Sequence, residues 1–240
     1  MFIHQGRKRT ARHNMQIASL LSFVAGTVNV AGFLAVAAMT TNITGHFAFF
    51  ADEILNLNFW QSFIYFLYIF FFFLGSFFSN FLVELASRNK IGYVYQVPIS
   101  IESLILFLAG IFGRSLIVKS PNLIACGLLF AMGLQNSLVT RISNATVRTT
   151  HLTGLFTDLG IELSQLFFYR EPEPRQRLLS SIKLRFMIVG FFFVGGISGG
   201  VLYSKIGIAA LLSAAILLVL GIIYGNLKLK VSSMKRKCRH

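Results

Sequence analysis

The chain has 240 residues, of which 55% are hydrophobic and only 12% are charged. Because soluble domains carry about 25% charged residues, this composition excludes an ordinary water-soluble protein and indicates an integral membrane protein. The formal net charge of +14 does not indicate nucleic-acid binding, since the basic residues lie at both ends of the chain and in short loops beside apolar runs.

Apolar runs predict an all-α polytopic membrane protein with about six transmembrane helices. The expected spans are, in chain order, residues 15–39, 63–83, 94–112, 122–142, 184–203 and 207–224. Two shorter apolar helices are expected at residues 46–57 and 155–168. Crossing the hydrocarbon takes about 20 residues, so these two are predicted to be re-entrant or interfacial half-helices.

The motif T-T-x-x-T-G occurs twice, at residues 40–45 and 149–154, and each copy lies between a span and a short helix. Other residues recur at matching places around it: Gly26 and Gly133, Asn29 and Asn136, and Glu53 and Glu162. Several correspondences in the same order indicate an internal duplication.

The duplication predicts two three-helix repeats joined by a short connection. The expected division is a basic N-terminal segment 1–14, a first repeat 15–113, a connector 114–121, a second repeat 122–227 and a basic tail 228–240. Three spans are an odd number, so the second repeat enters from the opposite side and the repeats are inverted, an architecture of secondary transporters. Basic residues at both ends predict that both termini are cytoplasmic.

The two motifs are the candidate substrate site. The first turn of a helix presents unpaired N–H groups and a partial positive charge, which favour an anionic or carbonyl-bearing group. The candidate residues are Asn29, Thr40, Thr41, Thr44, Gly45, His46, Gln135, Asn136, Thr149, Thr150, His151, Thr153 and Gly154. Two alternatives stay open: Thr44 and Thr153 could simply cap the short helices, and the amides could only join helices to one another.

Four carboxylates are candidates for ion or proton coupling: Glu53, Glu102, Asp158 and Glu162. Glu102 lies near the middle of the third expected span, where an ionisable residue is a functional candidate by default. The alternatives are that the acids of the short helices are solvated, and that Glu102 is bonded to a neighbouring carbonyl released by Pro98.

Nothing in the sequence indicates catalysis, a metal or a cofactor. No cluster of cysteine or histidine has metal-ligand spacing, and no hydrolase, zinc-protease or phosphate-loop signature occurs. Cys126 and Cys238 fall in a span and in the tail, so no disulfide is expected between them. An intramembrane enzyme is the least favoured class.

Several stretches are similar to the YoaK-like family of uncharacterised bacterial inner-membrane proteins. The resemblance rests on Ala25-Gly26-x-x-Asn29-x-x-Gly32-Phe33-Leu34, Thr44-Gly45, Gly133-x-Gln135-Asn136 and Thr149-Thr150-x-x-Thr153-Gly154. It implies a bacterial inner membrane and a fold, and it names no substrate. Family members typically carry aspartate at the position of Asn29, and His-x-Thr-Gly-Asn at the position of residues 42–46, which indicates that the exchanged His and Asn reach one polar spot.

These observations predict a transporter that moves a small polar or anionic solute by alternating access between two inverted repeats. The alternative is a non-transporting membrane scaffold or lipid-binding protein whose basic ends hold anionic lipid. The expected partners are membrane lipid, a small solute and a second copy of the chain in a homodimer, without nucleic acid.

Overall fold

The structure, a computed structural model, describes residues 11–88, 94–143, 147–169 and 171–237. These residues form eight α-helices and one short 3₁₀ turn, without a β-strand. The helices are α1 (Ala11–Val36), α2 (Ile43–Leu55), α3 (Phe59–Arg88), α4 (Gln96–Lys119), α5 (Pro121–Ser143), α6 (Leu152–Gln165), α7 (Pro172–Ile206) and α8 (Leu211–Lys237). The all-α class expected from the sequence is confirmed.

Five helical segments are long and apolar enough to cross a membrane: Met15–Val36, Phe59–Arg88, Gln96–Lys119, Pro121–Ser143 and Pro172–Leu227. The last has 56 residues, which as one straight helix would measure about 84 Å, against about 30 Å of hydrocarbon. The segment is divided at Gly207, whose φ of +62° opens the 3₁₀ turn Gly207–Ala210. Both α7 and α8 pack on α1, so the chain reverses direction at this turn.

The short helices begin three residues before the positions expected from the sequence. α2 has 13 residues and α6 has 14, so each is only about 20 Å long and cannot cross a bilayer. Asn42 precedes α2, and its side-chain oxygen accepts a hydrogen bond from the Gly45 N–H at 3.1 Å. His151 holds the equivalent place before α6 without a side-chain cap bond.

The helix ends differ from the expected boundaries where charge was taken as a sign of a loop. Residues 114–119, assigned to the connector, are the last turns of α4, and only Ser120 separates α4 from α5. α7 begins at Pro172, where a proline at the first helical position is readily accommodated. α8 continues to Lys237, into the segment expected to be a tail, because lysine and arginine are good helix formers. Residues 1–10 and Cys238 lie outside the described residues.

Two close helix pairs dominate the packing, α1 with α7 and α3 with α5. Backbones meet at glycines: a Cβ on Gly26 would overlap the Phe192 carbonyl, and a Cβ on Gly133 would overlap the Phe72 carbonyl. Both pairs are parallel, because contacts advance along the two helices in the same direction. The contacts recur at corresponding residues of the two halves: Gly26 and Gly133, Phe23 and Phe130, Phe72 and Phe192, and Gly75 and Gly195.

Helices that occupy the same place in each half meet in antiparallel pairs. In the α1–α5 pair, the Leu21 carbonyl accepts a hydrogen bond from Gln135, and Gly32 lies against Leu128. In the α4–α8 pair, the Ser103 hydroxyl donates to the Ala215 carbonyl at 3.1 Å, and Gln96 near the start of α4 bonds to Asn226 on α8. The most buried apolar side chains lie where these pairs cross; they include Leu21, Leu128, Met132, Ile99, Leu106 and Leu211.

Candidate functional site

After α1 the chain turns back along the same helix. Ala37 has a φ of +52°, and the following loop brings Thr41 to Asn29, where the Thr41 hydroxyl donates to Asn29 Oδ1 at 2.7 Å. The neighbouring Thr40 is fully buried and its hydroxyl donates to the Val28 carbonyl at 3.4 Å. Asn29 lies seven residues before the end of α1. The first turn of α2 therefore lies beside the α1 span, about 10 Å below the helix end.

The second motif has the same arrangement around α5. The Thr150 hydroxyl donates to Asn136 Oδ1 at 2.7 Å, the distance found in the first motif. Thr149 is fully buried and its hydroxyl accepts a hydrogen bond from Gln135 Nε2 at 3.1 Å. Asn136 again lies seven residues before the end of its helix, so α6 begins beside the α5 span.

Both asparagines keep their donor groups available. Each is half-buried, and each uses its side-chain oxygen to accept from a threonine. Within the described part of the chain, the Nδ2 groups of Asn29 and Asn136 donate to no residue. An amide donor without a partner is costly in hydrocarbon, so a polar group or water must meet each Nδ2.

The two motifs lie at different depths rather than around one point. Because Leu21 faces Gln135 and Gly32 faces Leu128 in the antiparallel α1–α5 pair, Asn29 lies near residue 129 of α5. Asn136 is seven residues further along, or about 10 Å. The hydrogen bonds thus assemble two clusters, Thr41 with Asn29 and Thr150 with Asn136. The single shared pocket expected from the sequence stays a prediction.

The threonines inside the motifs do not cap the short helices. Thr44 and Thr153 are exposed and lie at the second positions of α2 and α6, whereas Asn42 and His151 occupy the cap positions. The capping alternative for the two threonines is therefore wrong. The His151 ring, at the cap position of α6, lies against Gly154, where a Cβ would overlap it. A Cβ on Gly45 would likewise meet the Met39 methyl group at 2.7 Å.

His46 is buried between α2 and α3 with only 1% of its surface exposed. Its Nε2 lies 2.8 Å from the Met39 carbonyl, and its ring centroid lies 5.2 Å from that of Tyr68. Burial lowers the pKa of His46, which the hydrogen bond to Met39 offsets only in part. The neutral ring therefore donates Nε2–H to Met39, while Nδ1 is buried without a partner among the described residues.

Two of the candidate carboxylates are held by a residue that the sequence analysis did not single out. Arg185 on α7 donates from Nε to Glu162 at 2.9 Å and from Nη1 to Asp158 at 2.6 Å. Glu162 also accepts from the Ser181 hydroxyl at 2.6 Å. The sequence did contain an indication of these ion pairs. Arg185 is a cation at the second position of an expected span, and a charged side chain there usually pairs with an opposite charge.

The first repeat has aromatic rings where the second has these ion pairs. Tyr65 occupies the place that corresponds to Arg185, and Phe49 stacks on it with a centroid separation of 5.2 Å. Glu53, the counterpart of Glu162, is half-exposed and forms no ion pair within the described ranges. The two short helices are therefore attached to their neighbouring spans by different chemistry.

Glu102 is fully buried in α4, and neither carboxylate oxygen has a hydrogen-bond partner among the described residues. The expected bond to a carbonyl near Pro98 is absent from its described surroundings, because Pro98 lies in the first turn of α4 and frees no nearby carbonyl. Fully buried apolar neighbours on its own helix include Ile99 and Leu106. An isolated carboxyl in such surroundings is costly to bury.

Long apolar helices packed through glycine contacts, with two short helices inserted between them, define a helical membrane protein. The chain belongs to the family Protein of unknown function (DUF1275), whose sequence pattern matches residues 17–224. The expectation of an uncharacterised family is thereby confirmed. No curated protein and no solved structure matches the chain significantly.

Proposed function

We propose that the protein is a transporter of the bacterial inner membrane, which moves a small polar or anionic solute by alternating access between two inverted repeats. The observation that carries the proposal is the matched pair of polar clusters within the membrane helices. Thr41 with Asn29 and Thr150 with Asn136 have the same 2.7 Å hydrogen bond at corresponding places. A helix packing role alone does not require two amide donors, at equivalent positions, that donate to none of the described residues.

The antiparallel meeting of corresponding helices supports an inverted 3+3 repeat. α1 corresponds to α5 by the motif positions and crosses it in the antiparallel direction, and α4 meets α8 in the same way. The close pairs α1–α7 and α3–α5 each combine one helix from each repeat. A twofold axis in the membrane plane would interchange these two pairs.

Six spans and the basic ends support a topology with both termini in the cytoplasm. The segment Pro172–Leu227 then supplies two spans, divided at Gly207. Basic residues concentrate near residues 7–12 and 228–239, at the same side of such a bundle. Arg114, Lys119 and Lys205 lie on the opposite side.

The packing suggests which parts move. One body contains α1, α6, α7 and α8, since α7 packs on α1 and α6 and α8 contacts α1. The other contains α2, α3, α4 and α5, since α3 packs on α2 and α5 and α4 packs on α5. The bodies meet along the antiparallel α1–α5 and α4–α8 pairs. Rocking at these two contacts would expose one polar cluster and then the other, which lie about 10 Å apart in depth.

The available donors favour an acceptor-bearing solute. Asn29 and Asn136 present Nδ2 groups, and the first turns of α2 and α6 add backbone N–H groups that have no partner within the helix, of which Asn42 takes only that of Gly45. Carboxylate, oxyanion and carbonyl groups meet these donors best, since the helix starts also carry a partial positive charge.

The test is uptake into liposomes that contain the purified protein, with a panel of small carboxylates, oxyanions and zwitterions. Removal of a hydrogen bond to a charged solute costs about 1.5–3 kcal/mol, so Asn136→Ala should slow uptake by about tenfold or more. Asn122→Ala is the matched control, because Asn122 accepts a hydrogen bond from Tyr68 within one body and lies outside both motifs. Uptake of no solute by the wild type, or equal uptake by Asn136→Ala, contradicts the proposal.

A non-transporting lipid-binding protein is the second candidate. It is favoured by two apolar cavities beside α4, of about 460 Å³ and 530 Å³, lined by α5 and α8 on the other side. A third cavity, polar and of about 460 Å³, lies between the end of α6 and the start of α7. No motif residue lines any of these three. Lipid retained without solute uptake would support this function.

A further inference from the structure

The cavity between α4 and α5 has a feature that distinguishes it from an ordinary lipid-facing depression. This α4–α5 groove is lined by Ile105, Leu108, Phe112, Ser115, Leu123 and Gly127, and its volume is about 460 Å³. That volume falls in the range of about 300–1,000 Å³ found for ligand cavities. The groove follows two helices that are apolar enough to span a membrane, so acyl chains are the surrounding medium.

Gly127 keeps the groove open. A Cβ there would touch only Ile105 Cγ2, at 4.0 Å, so the space beside Gly127 is unoccupied. This differs from Gly75 and Gly133, where a Cβ would overlap the backbone of the facing helix. Gly127 therefore does not serve a close approach of two helix backbones. The absence of a side chain there leaves an open space in the groove.

Positive charge lies at the mouth of the groove. Leu108, Phe112 and Ser115 line one face of α4, and Lys119 is the next residue on that face, one turn beyond Ser115. Arg114 lies within the same two turns, and both cations are exposed and form no ion pair with the described residues. The sequence from residue 103 to residue 157 contains no acidic residue.

We propose that the α4–α5 groove binds one anionic phospholipid, with an acyl chain against Gly127 and the phosphate at Lys119. The apolar lining matches the chain, and the cation above it matches the headgroup charge. A Lys or Arg near a lipid surface contributes about fivefold in affinity for an anionic headgroup. The site lies at the end of the bundle where α4 joins α5, far from the basic termini, and it is independent of the proposed transport.

The experiment counts retained lipid by native mass spectrometry after release of the protein from nanodiscs of phosphatidylcholine and phosphatidylglycerol. The wild type should retain phosphatidylglycerol preferentially. Lys119→Gln should lower that retention by about fivefold. Gly127→Leu should lower retention of both lipids, because the new side chain fills the groove.

Two controls keep the result specific. Lys205→Gln removes a cation at the same end without touching the groove, and Gly190→Leu adds the same side chain at a glycine with nothing within 4 Å of its Cβ. Should Gly127→Leu not give a monodisperse helical protein, Ser115→Leu replaces it, since among the described residues the Ser115 hydroxyl donates only to the Phe112 carbonyl of its own helix. The proposal is overturned if either groove variant retains lipid like the wild type, or if a control lowers retention equally.

Discussion

At the scale of single residues, glycine and asparagine have separate tasks within each Gly-x-x-Asn segment. Gly26 and Gly133 allow the backbone of α1 or α5 to touch the carbonyl of the facing helix. Asn29 and Asn136, one turn further along, accept the threonine hydroxyls of the returning loops. The glycine therefore fixes the distance between the paired helices inside each body, and the asparagine fixes the depth at which each short helix begins.

Gly133→Ala tests the close approach of α5 to α3. Its methyl group would overlap the Phe72 carbonyl, so the helices must separate. Overpacking of this kind lowers the free energy of unfolding by about 1–3 kcal/mol. Thermal or detergent-induced unfolding of the purified protein measures the change.

Gly190→Ala on α7 is the control for this substitution. It has nothing within 4 Å of its Cβ, and alanine in a helix interior raises stability by about 0.5–1 kcal/mol relative to glycine. A Gly133→Ala protein as stable as Gly190→Ala would show that the α3–α5 backbones are not in contact.

At the scale of helices, the break between α7 and α8 divides the longest apolar segment into two helices that run in opposite directions. The segment 172–227 contains the most apolar window of the five and is helical up to Ile206, and Gly207 then takes a positive φ. Its φ of +62° with a ψ of −145° is a conformation that side-chain-bearing residues rarely adopt. One residue therefore ends α7 and lets the chain turn back into α8.

Gly207→Ala should lower the free energy of unfolding by about 1–3 kcal/mol through backbone strain alone. No atom lies within 4 Å of a Cβ at this position, so packing adds nothing to the effect. Equilibrium unfolding in detergent provides the measurement. Gly160→Ala, at an open glycine of α6 with an ordinary helical φ, should instead be neutral or stabilising, and equal destabilisation of both variants would refute the argument.

At the scale of the whole molecule, the two repeats exchange partners rather than folding side by side. α1 packs on α7 of the second repeat, and α5 packs on α3 of the first. Neither repeat can form its closest helix contact alone. The remaining contacts, α1 with α5 and α4 with α8, are antiparallel and connect the two proposed moving bodies.

A covalent link across the α4–α8 contact tests whether these bodies move. Ser103→Cys with Ala215→Cys, in a protein carrying Cys126→Ala and Cys238→Ser, places two thiols where the Ser103 hydroxyl now meets the Ala215 carbonyl at 3.1 Å. Oxidation should abolish solute uptake, and reduction should restore it. A link within one body, Phe50→Cys with Ser62→Cys between α2 and α3, is the control and should leave uptake unchanged, because the Ser62 hydroxyl meets the Phe50 carbonyl at the same 3.1 Å. Equal uptake before and after oxidation of the α4–α8 pair would contradict the rocking motion.

The sequence by itself determined the helical membrane class and the approximate position of every described helix, and it predicted an internal duplication. Apolar runs of sufficient length have no stable alternative in hydrocarbon, where only a helix satisfies its own backbone groups within one segment. The recurrence of T-T-x-x-T-G with Gly-x-x-Asn likewise singled out the threonines and asparagines that the structure joins by hydrogen bonds. The charged residues at the helix ends led to a wrong boundary, because Arg114 and Lys119 were assigned to the connector and belong to α4.

Only the tertiary structure decided which helices pair, at what depths the motifs lie, and what holds each short helix. Apolar periodicity marks a buried face without naming its partner, so the exchange of α1 and α5 between the repeats could not be derived from it. The attachment of α6 also depends on Arg185, which lies 23 residues beyond Glu162 and reaches it only because α7 turns back along α6. Such pairings arise from the geometry of the assembled bundle, where contacts between distant residues are set by packing rather than by local sequence.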